Sequence, residues 1–386
     1  MLTRKADCMM GNTARGFGVL GPLQLITGGA PVPLGAPKQR AVLAVLVINR
    51  NRPVSVDSLI DAVWDQSPVP AARTSIHSYV SNLRRLLGSA GYDPNKMLAS
   101  VPPGYQLSVA DADCDLGRFI TEKNAGVHAA AAGRFEDASR FLSAALAEWR
   151  GPVLDDLREF AFVDTFATAL SEVKVVAQIG LAEAEIACGR ADAVVPRLEL
   201  LSAEHPFREP LWAQLITAYY VADRQSDALD AYRRLKVNLA ENLGIDPGPT
   251  VRTLHERILR QEPLDTKRTA QTTAMNRVVD LGPHTDTVAG RSAVAELRGK
   301  DGKRYRLDAS TRIGRRPDND IVLDDDDVSR YHAVVIDTGS SFVISDLRST
   351  NGVQVAGRRI RGSATLADGD HVRIGGHEFT FEIRPR

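Results

Sequence analysis

The 386-residue chain is predicted to hold three dissimilar domains: an α+β domain, an all-α domain and an all-β sandwich. Three textures predict this. Residues 15–109 mix short strand-like runs with helical periodicity, whereas 110–262 are rich in Ala, Leu, Glu and Arg and read as helices throughout. Residues 293–386 alternate apolar and polar side chains in short runs separated by DTGS, STNG, AGR, DGD and GGH, the spacing of a β-sandwich. The Thr-rich, weakly apolar stretch 263–292 reads as a linker, and residues 1–14 as a disordered N-terminus.

Composition narrows the function. Lys and Arg total 48 against 48 Asp and Glu, so the chain as a whole is no polycation, although a neutral total can hide a basic domain. Cys8, Cys114 and Cys188 are odd in number and form no C-x-x-C pair, which argues against a zinc knuckle or a disulfide framework. The apolar run AVLAVLVI is far below membrane-spanning length, and no apolar h-region follows Arg4 and Lys5. A soluble, cytoplasmic protein that does not bind membrane is expected. No phosphate-binding G-x-x-x-x-G-K-[ST], no G-x-S-x-G and no H-E-x-x-H is present, so neither an enzyme nor a cofactor site is expected.

The first helix is predicted over PKQRAVLAVLVINRN, opened by Pro37. A second, VSVDSLIDAVW, has Ser55 as N-cap and buries Leu59, Ile60, Val63 and Trp64. The third, ARTSIHSYVSNLRRLLG, places Ile76, Tyr79, Val80, Leu83, Leu86 and Leu87 on one side and ends at Gly88. A hairpin, MLASV and YQLSV around a PPG turn, completes the winged-helix order, in which the third helix faces the major groove of double-stranded DNA. The outward face of that helix carries Thr74, Ser78, Ser81, Asn82 and Arg85, flanked by Arg73, His77 and Arg84. Hydroxyl and amide side chains among arginines suit base edges and phosphates, and residues 15–109 carry a net charge of +5. Read blandly, the same residues are the solvated face of any small α/β domain.

The order GPLQLITGGAPVPLG, KQRAVLAVLVINRNRPVSVDSLIDAVW, SIHSYVSNLRRLLG and PPGYQL resembles the DNA-binding domain of the actinobacterial SARP transcription factors. That resemblance implies an activator with an OmpR-type winged helix. In the middle domain, Trp212, Leu215, Tyr219, Ala228 and Tyr232 keep tetratricopeptide spacing, with Ile216 in place of the usual small residue. The segments from Gly133 and Gly189 share a Gly-Arg opening and an Ala/Leu stripe, so a short solenoid of helix pairs is expected. This block, down to LAENLGIDPGPTVRTLHERIL, resembles the bacterial transcriptional activation domain of the same regulators, which implies oligomerisation and contacts to RNA polymerase.

The stretch IGRRPDNDIVLDDDDVSRYH could serve a cation through its carboxylates or an anion through its arginines. A calcium loop needs oxygens at alternating places and Gly at the sixth. Counting from Asp318 puts Leu323 there, and counting from Asp324 puts Ser329 there, so no metal is expected. The aspartates then read as loop acids in a solvated turn. Gly314-Arg315, Ser329-Arg330-x-His332 and Ser349-Thr350-Asn351-Gly352 together resemble the motif set of the forkhead-associated (FHA) domain. The resemblance implies a phosphothreonine site in which Arg315 and Ser329 meet the phosphate. Asn351 would hold the peptide backbone, Arg330 and Thr350 would assist, and His332 would brace the loops from beneath.

All three parts together resemble a class of mycobacterial regulator that joins a SARP-type activator to an FHA domain. This implies a phosphorylated Ser/Thr protein kinase as partner and cell-wall arabinan synthesis genes as targets. The alternative is a phospho-dependent scaffold that binds proteins without reading DNA.

Overall fold

The computed structural model describes residues 16–64, 69–281, 294–307, 310–317, 319–337, 342–347, 349–360 and 363–384; the stretch expected to be disordered, 1–14, lies outside them. The described chain forms two compact units. The first holds the N-terminal domain, a segment over 147–172 and the C-terminal sandwich; the second holds the helical repeats.

The N-terminal domain opens with an antiparallel sheet of β1 (Gly16–Gly18), β2 (Gln24–Thr27) and β3 (Ala30–Pro31). Helix α1 (Pro37–Ile48) follows, its Pro37 placed where an N–H has no helical partner. Strand β4 (Pro53–Ser55) leads into α2 (Val56–Trp64), and the Ser55 hydroxyl accepts from Ser58 N at 2.9 Å, the expected N-cap. Helix α3 (Ala72–Ser89) buries Ile76, Val80, Leu83 and Leu87, with Tyr79 and Leu86 half-buried, and runs one residue past the predicted stop at Gly88. After α4 (Pro94–Met97), strands β5 (Leu98–Val101) and β6 (Gly104–Leu107) form the predicted hairpin, and β4 joins it as the third strand in the order β4-β6-β5. These elements form a winged helix.

Asp115 anchors this domain. Its carboxylate, almost wholly buried, accepts from the backbone N–H groups of Val19, Leu20 and Leu116 and from Arg150 at 3.1 Å. Four donors offset the cost of removing one negative charge from water.

The helical elements are α5 (Asp115–Ala131), α6 (Phe135–Ala147), α7 (Ala161–Ala187), α8 (Ala191–Glu204), α9 (Glu209–Val221), α10 (Gln225–Leu243), α11 (Pro249–Leu259) and α12 (Thr266–Leu281). Trp212, Leu215, Tyr219 and Ala228 are buried in the α8–α11 core, as the repeat spacing predicts, and Ile216 is buried with them. Trp212 donates its indole N–H to Pro206 O at 3.0 Å, which lets a large polar-tipped ring sit inside.

Of the linker expected over 263–292, residues 266–281 form helix α12 and residues 282–292 lie outside the described residues. Ala270 and Ala274, one turn apart, are buried, while the hydroxyls of Thr269, Thr272 and Thr273 donate to carbonyls four residues back. Gln271 donates to Ala131 O at 3.1 Å, and Arg277 forms two bonds to the buried carboxylate of Glu183. Small side chains make the buried stripe, so its mean hydropathy is low and a composition argument misses it.

The sandwich contains β7 (Val294–Gly299), β8 (Arg304–Arg306), β9 (Ser310–Gly314), β10 (Ile321–Val322), β11 (Ala333–Asp337), β12 (Phe342–Asp346), β13 (Val353–Val355), β14 (Arg358–Arg359), β15 (Ser363–Leu366), β16 (His371–Ile374) and β17 (His377–Arg384). One sheet runs β10-β9-β11-β12-β15, the other β14-β13-β16-β17-β7-β8. Between them lie Leu297, Ile313, Val335, Ile344, Val353, Val372 and Phe381, all buried inward-facing residues. Ala333 pairs with both Ile313 and Asp346, so the loops after β9, before β11 and after β12 meet at one end.

Candidate functional site

At that end bonds join three of the five predicted anion-site residues to one another, and a fourth, Asn351, to the Ser329 loop through Asp327. Arg315 N donates to Ser329 O at 3.0 Å, and Thr350 N donates to the Ser329 hydroxyl oxygen at 3.1 Å. The two hydroxyls of Ser329 and Thr350 lie 3.4 Å apart. Asn351 donates its side-chain amide to Asp327 O at 2.8 Å, which fixes the amide plane at the rim. Arg330 is exposed, and its carbonyl accepts from Asn319 Nδ2 at 2.8 Å. A guanidinium, two hydroxyls and an amide on neighbouring loops form a set of donors suited to a tetrahedral dianion.

His332 lies beneath these loops and is fully buried. Ser329 N donates to its Nδ1 at 3.0 Å, so Nε2 carries the proton and donates to Gly352 O at 3.1 Å. One imidazole ties the Ser329 loop to the Asn351 loop, the bracing role expected of it. Gly314 and Gly352 are required for close approach. A Cβ at position 314 would meet Asn319 Nδ2 at 2.9 Å, and Gly352 holds φ at +75°.

The aspartate run is more than loop filler, which corrects the sequence reading. Asp325 accepts from Asp327 N at 2.8 Å and Gly376 N at 3.2 Å, and these backbone donors hold its carboxyl below the usual range. Asp326 pairs with Arg315 at 2.8 Å, and Asp327 supplies the carbonyl that Asn351 grips. Sequence reasoning missed these roles because they depend on backbone groups met only in the fold. No group of three or more His, Cys, Asp or Glu side chains suited to a metal ion occurs among the described residues.

The second site is the outer face of α3. Thr74, His77, Ser78, Ser81 and Arg85 are exposed at helical spacing on one side, with Asn82 half-buried and accepting from Arg85. Ser78 donates to Thr74 O at 3.1 Å. Arg73 pairs with Asp57 of α2. Its neighbour on α2, Asp61, meets Arg312 of β9 at 3.6 Å. His77 Nδ1 and the Tyr105 hydroxyl are 2.6 Å apart, which links the helix to the wing.

Arg84 is engaged within the domain. It donates to Leu98 O at 2.9 Å and to the Ser100 hydroxyl at 2.9 Å, so the guanidinium fastens α3 to β5. Hairpin register determines this, and register is not visible in the helix sequence. Tyr105 is a further participant that sequence reasoning did not assign; its place after Gly104 in the wing was the available signal.

Three family models match successive parts of the chain. "Transcriptional regulatory protein, C terminal" covers residues 29–107, "Bacterial transcriptional activator domain" 114–259 and "FHA domain" 311–375. The chain is 66% identical over 369 residues to the transcriptional regulatory protein EmbR of Mycobacterium tuberculosis, covering 95% of each chain. It is 54% identical over 250 residues to MoaR1 of the same organism, covering 64% of this chain and 80% of that one. With the regulatory protein AfsR of Streptomyces coelicolor it shares 33% identity over 287 residues, which is 73% of this chain and 28% of that one. The solved structure of Mycobacterium tuberculosis EmbR in complex with a low-affinity phosphopeptide superimposes with a TM-score of 0.93 at 65% identity, over 96% of this chain and 98% of that one. A winged helix, a helical activator domain and an FHA sandwich in this order, at this identity and coverage, place the chain in the family of EmbR-type transcriptional regulators.

Proposed function

We propose that the chain is a transcriptional activator that reads promoter DNA through α3 and its wing, and docks a phosphothreonine of a Ser/Thr protein kinase at the sandwich end. Kinase signalling is thereby coupled to promoter binding, with cell-wall arabinosyltransferase genes as targets and RNA polymerase as a further partner. The chain works in the cytoplasm by recognition and catalyses no reaction. The observation that carries this reading is the convergence of Arg315, Ser329, Thr350 and Asn351 on loops tied together by one buried histidine. The phosphopeptide complex of the EmbR relative supports it.

Arg315 contributes the fixed guanidinium fork of this site. Titration calorimetry of the full chain with a phosphothreonine peptide should give heat with the wild type and none with Arg315→Ala; unchanged affinity would mean that the pocket is misassigned. Gel shifts with promoter fragments test the other half. Arg85→Ala should weaken binding and flatten its salt dependence, because one phosphate contact is lost. Binding indifferent to salt and to this substitution would favour a scaffold that does not read DNA.

A further inference from the structure

The hairpin of β13 and β14 carries an arginine back to the phosphopeptide end. Ala356 and Gly357, both with positive φ, turn the chain, and the register sets Arg359 opposite Gln354. Gly352 has no side chain, and the guanidinium lies down over it. A Cβ at 352 would sit 2.8 Å from both Cζ and Nη2 of Arg359. Gly352 directly follows Asn351, the rim residue. The Arg359 guanidinium therefore lies within one residue of the site, and Arg358 beside it is exposed as well.

The two kinds of arginine at this end differ in their partners. Arg315 is paired with Asp326, whereas among the described residues no carboxylate pairs with Arg358 or Arg359. Other arginines on the same sheet are paired: Arg298 with Glu382, and Arg304 with Glu296. An exposed guanidinium left without a counter-charge beside a binding rim has the chemistry to receive a carboxylate from the ligand.

We propose that Arg359 is a specificity-determining residue that selects peptides carrying an acidic side chain next to the phosphothreonine, on the Asn351 side. This rests on the phosphothreonine reading above and names the peptide class that site prefers. The contact is exposed, so it adjusts selection among phosphopeptides and does not supply the bulk of the affinity.

The test uses the full chain and a set of phosphothreonine peptides, alanine at every flanking position, with one Asp stepped through those positions. Affinities are measured by fluorescence anisotropy, and each Asp peptide is divided by the all-alanine peptide. The wild type should favour Asp at one or two adjacent positions by about two- to five-fold. In Arg359→Gln that ratio should fall to one, while Arg358→Gln, on the opposite face of β14, should keep it. Thermal midpoints of the variants should match the wild type, because both side chains are exposed. A flat Asp scan in the wild type overturns the proposal, and so does an Asp preference that survives Arg359→Gln. An all-alanine phosphopeptide that binds no better than its unphosphorylated form overturns the phosphothreonine reading itself, a distinguishable failure.

Discussion

Removing the His332 side chain should loosen the ligand site without touching a ligand. His332→Ala deletes both bonds of the buried imidazole and leaves Ser329 N–H and Gly352 C=O without partners. Each such group costs about 1–3 kcal/mol, and a residual void adds to this, so a loss of about 3–5 kcal/mol follows. That is a large part of the roughly 5–15 kcal/mol by which a domain is stable. None of the three tryptophans lies in the sandwich, so fluorescence would not report on it. Hydrogen exchange resolved to β11, β12 and β13 would, with calorimetry on the same samples for peptide affinity. Protection in those strands should fall by a factor of a hundred or more, on the order of the same 3–5 kcal/mol. Peptide affinity should drop at least ten-fold, roughly, because both loops lose their relative position. His332→Gln, which can accept from one loop and donate to the other, should recover part of both losses. Unchanged protection would refute the brace, and lost affinity with intact protection would place His332 in contact with the peptide.

Other perturbations follow from the same structure. Asp326→Asn removes the carboxylate that a phosphate must displace from Arg315, and should tighten phosphopeptide binding by up to about five-fold, the worth of an exposed pair, as read by calorimetry. Lys123 is buried, and burial first and Arg277 second push its ammonium down to about 8. Because that value lies below the usual lysine range, the folded state bears the cost of the charge below pH 8 and sheds it as pH rises toward 10.5. Lys123→Met should therefore raise the thermal midpoint most below pH 8, with an advantage that narrows by pH 10; an advantage independent of pH would contradict this assignment. Arg277→Met should free α12 from Glu183 and raise proteolytic cleavage within 266–281.

Domain order and the residues that gather at the end of the sandwich were legible because each rests on local pattern. Apolar spacing marks α3, alternation marks the sandwich strands, and Arg315, Ser329 and Asn351 sit in loops whose residue types carry specific chemistry. What escaped depends on distant partners. Glu183 lies 94 residues from Arg277, so nothing within 263–292 announced the helix that the pair holds down. Gly376 lies 51 residues from Asp325, so the acidic run read as solvated filler. Arg84 and Arg85 are adjacent, and only the register of β5 decides that the first fastens the wing while the second stays at the surface.

Arg73 of the recognition helix is held by Asp57, and Arg315 of the sandwich by Asp326. Both arginines proposed to meet phosphate thus carry a resident carboxylate before any ligand arrives. Binding at either end is then an exchange of one anion for another, where filling an empty cationic hole would have been the alternative. An exchange sets a threshold. Stray anions with a single charge gain little by replacing a carboxylate already in place, while a dianion or a row of phosphates gains a second contact. The net charge of zero over 386 residues fits this arrangement, since the two proposed phosphate-reading surfaces coexist in one chain without making it generally adhesive.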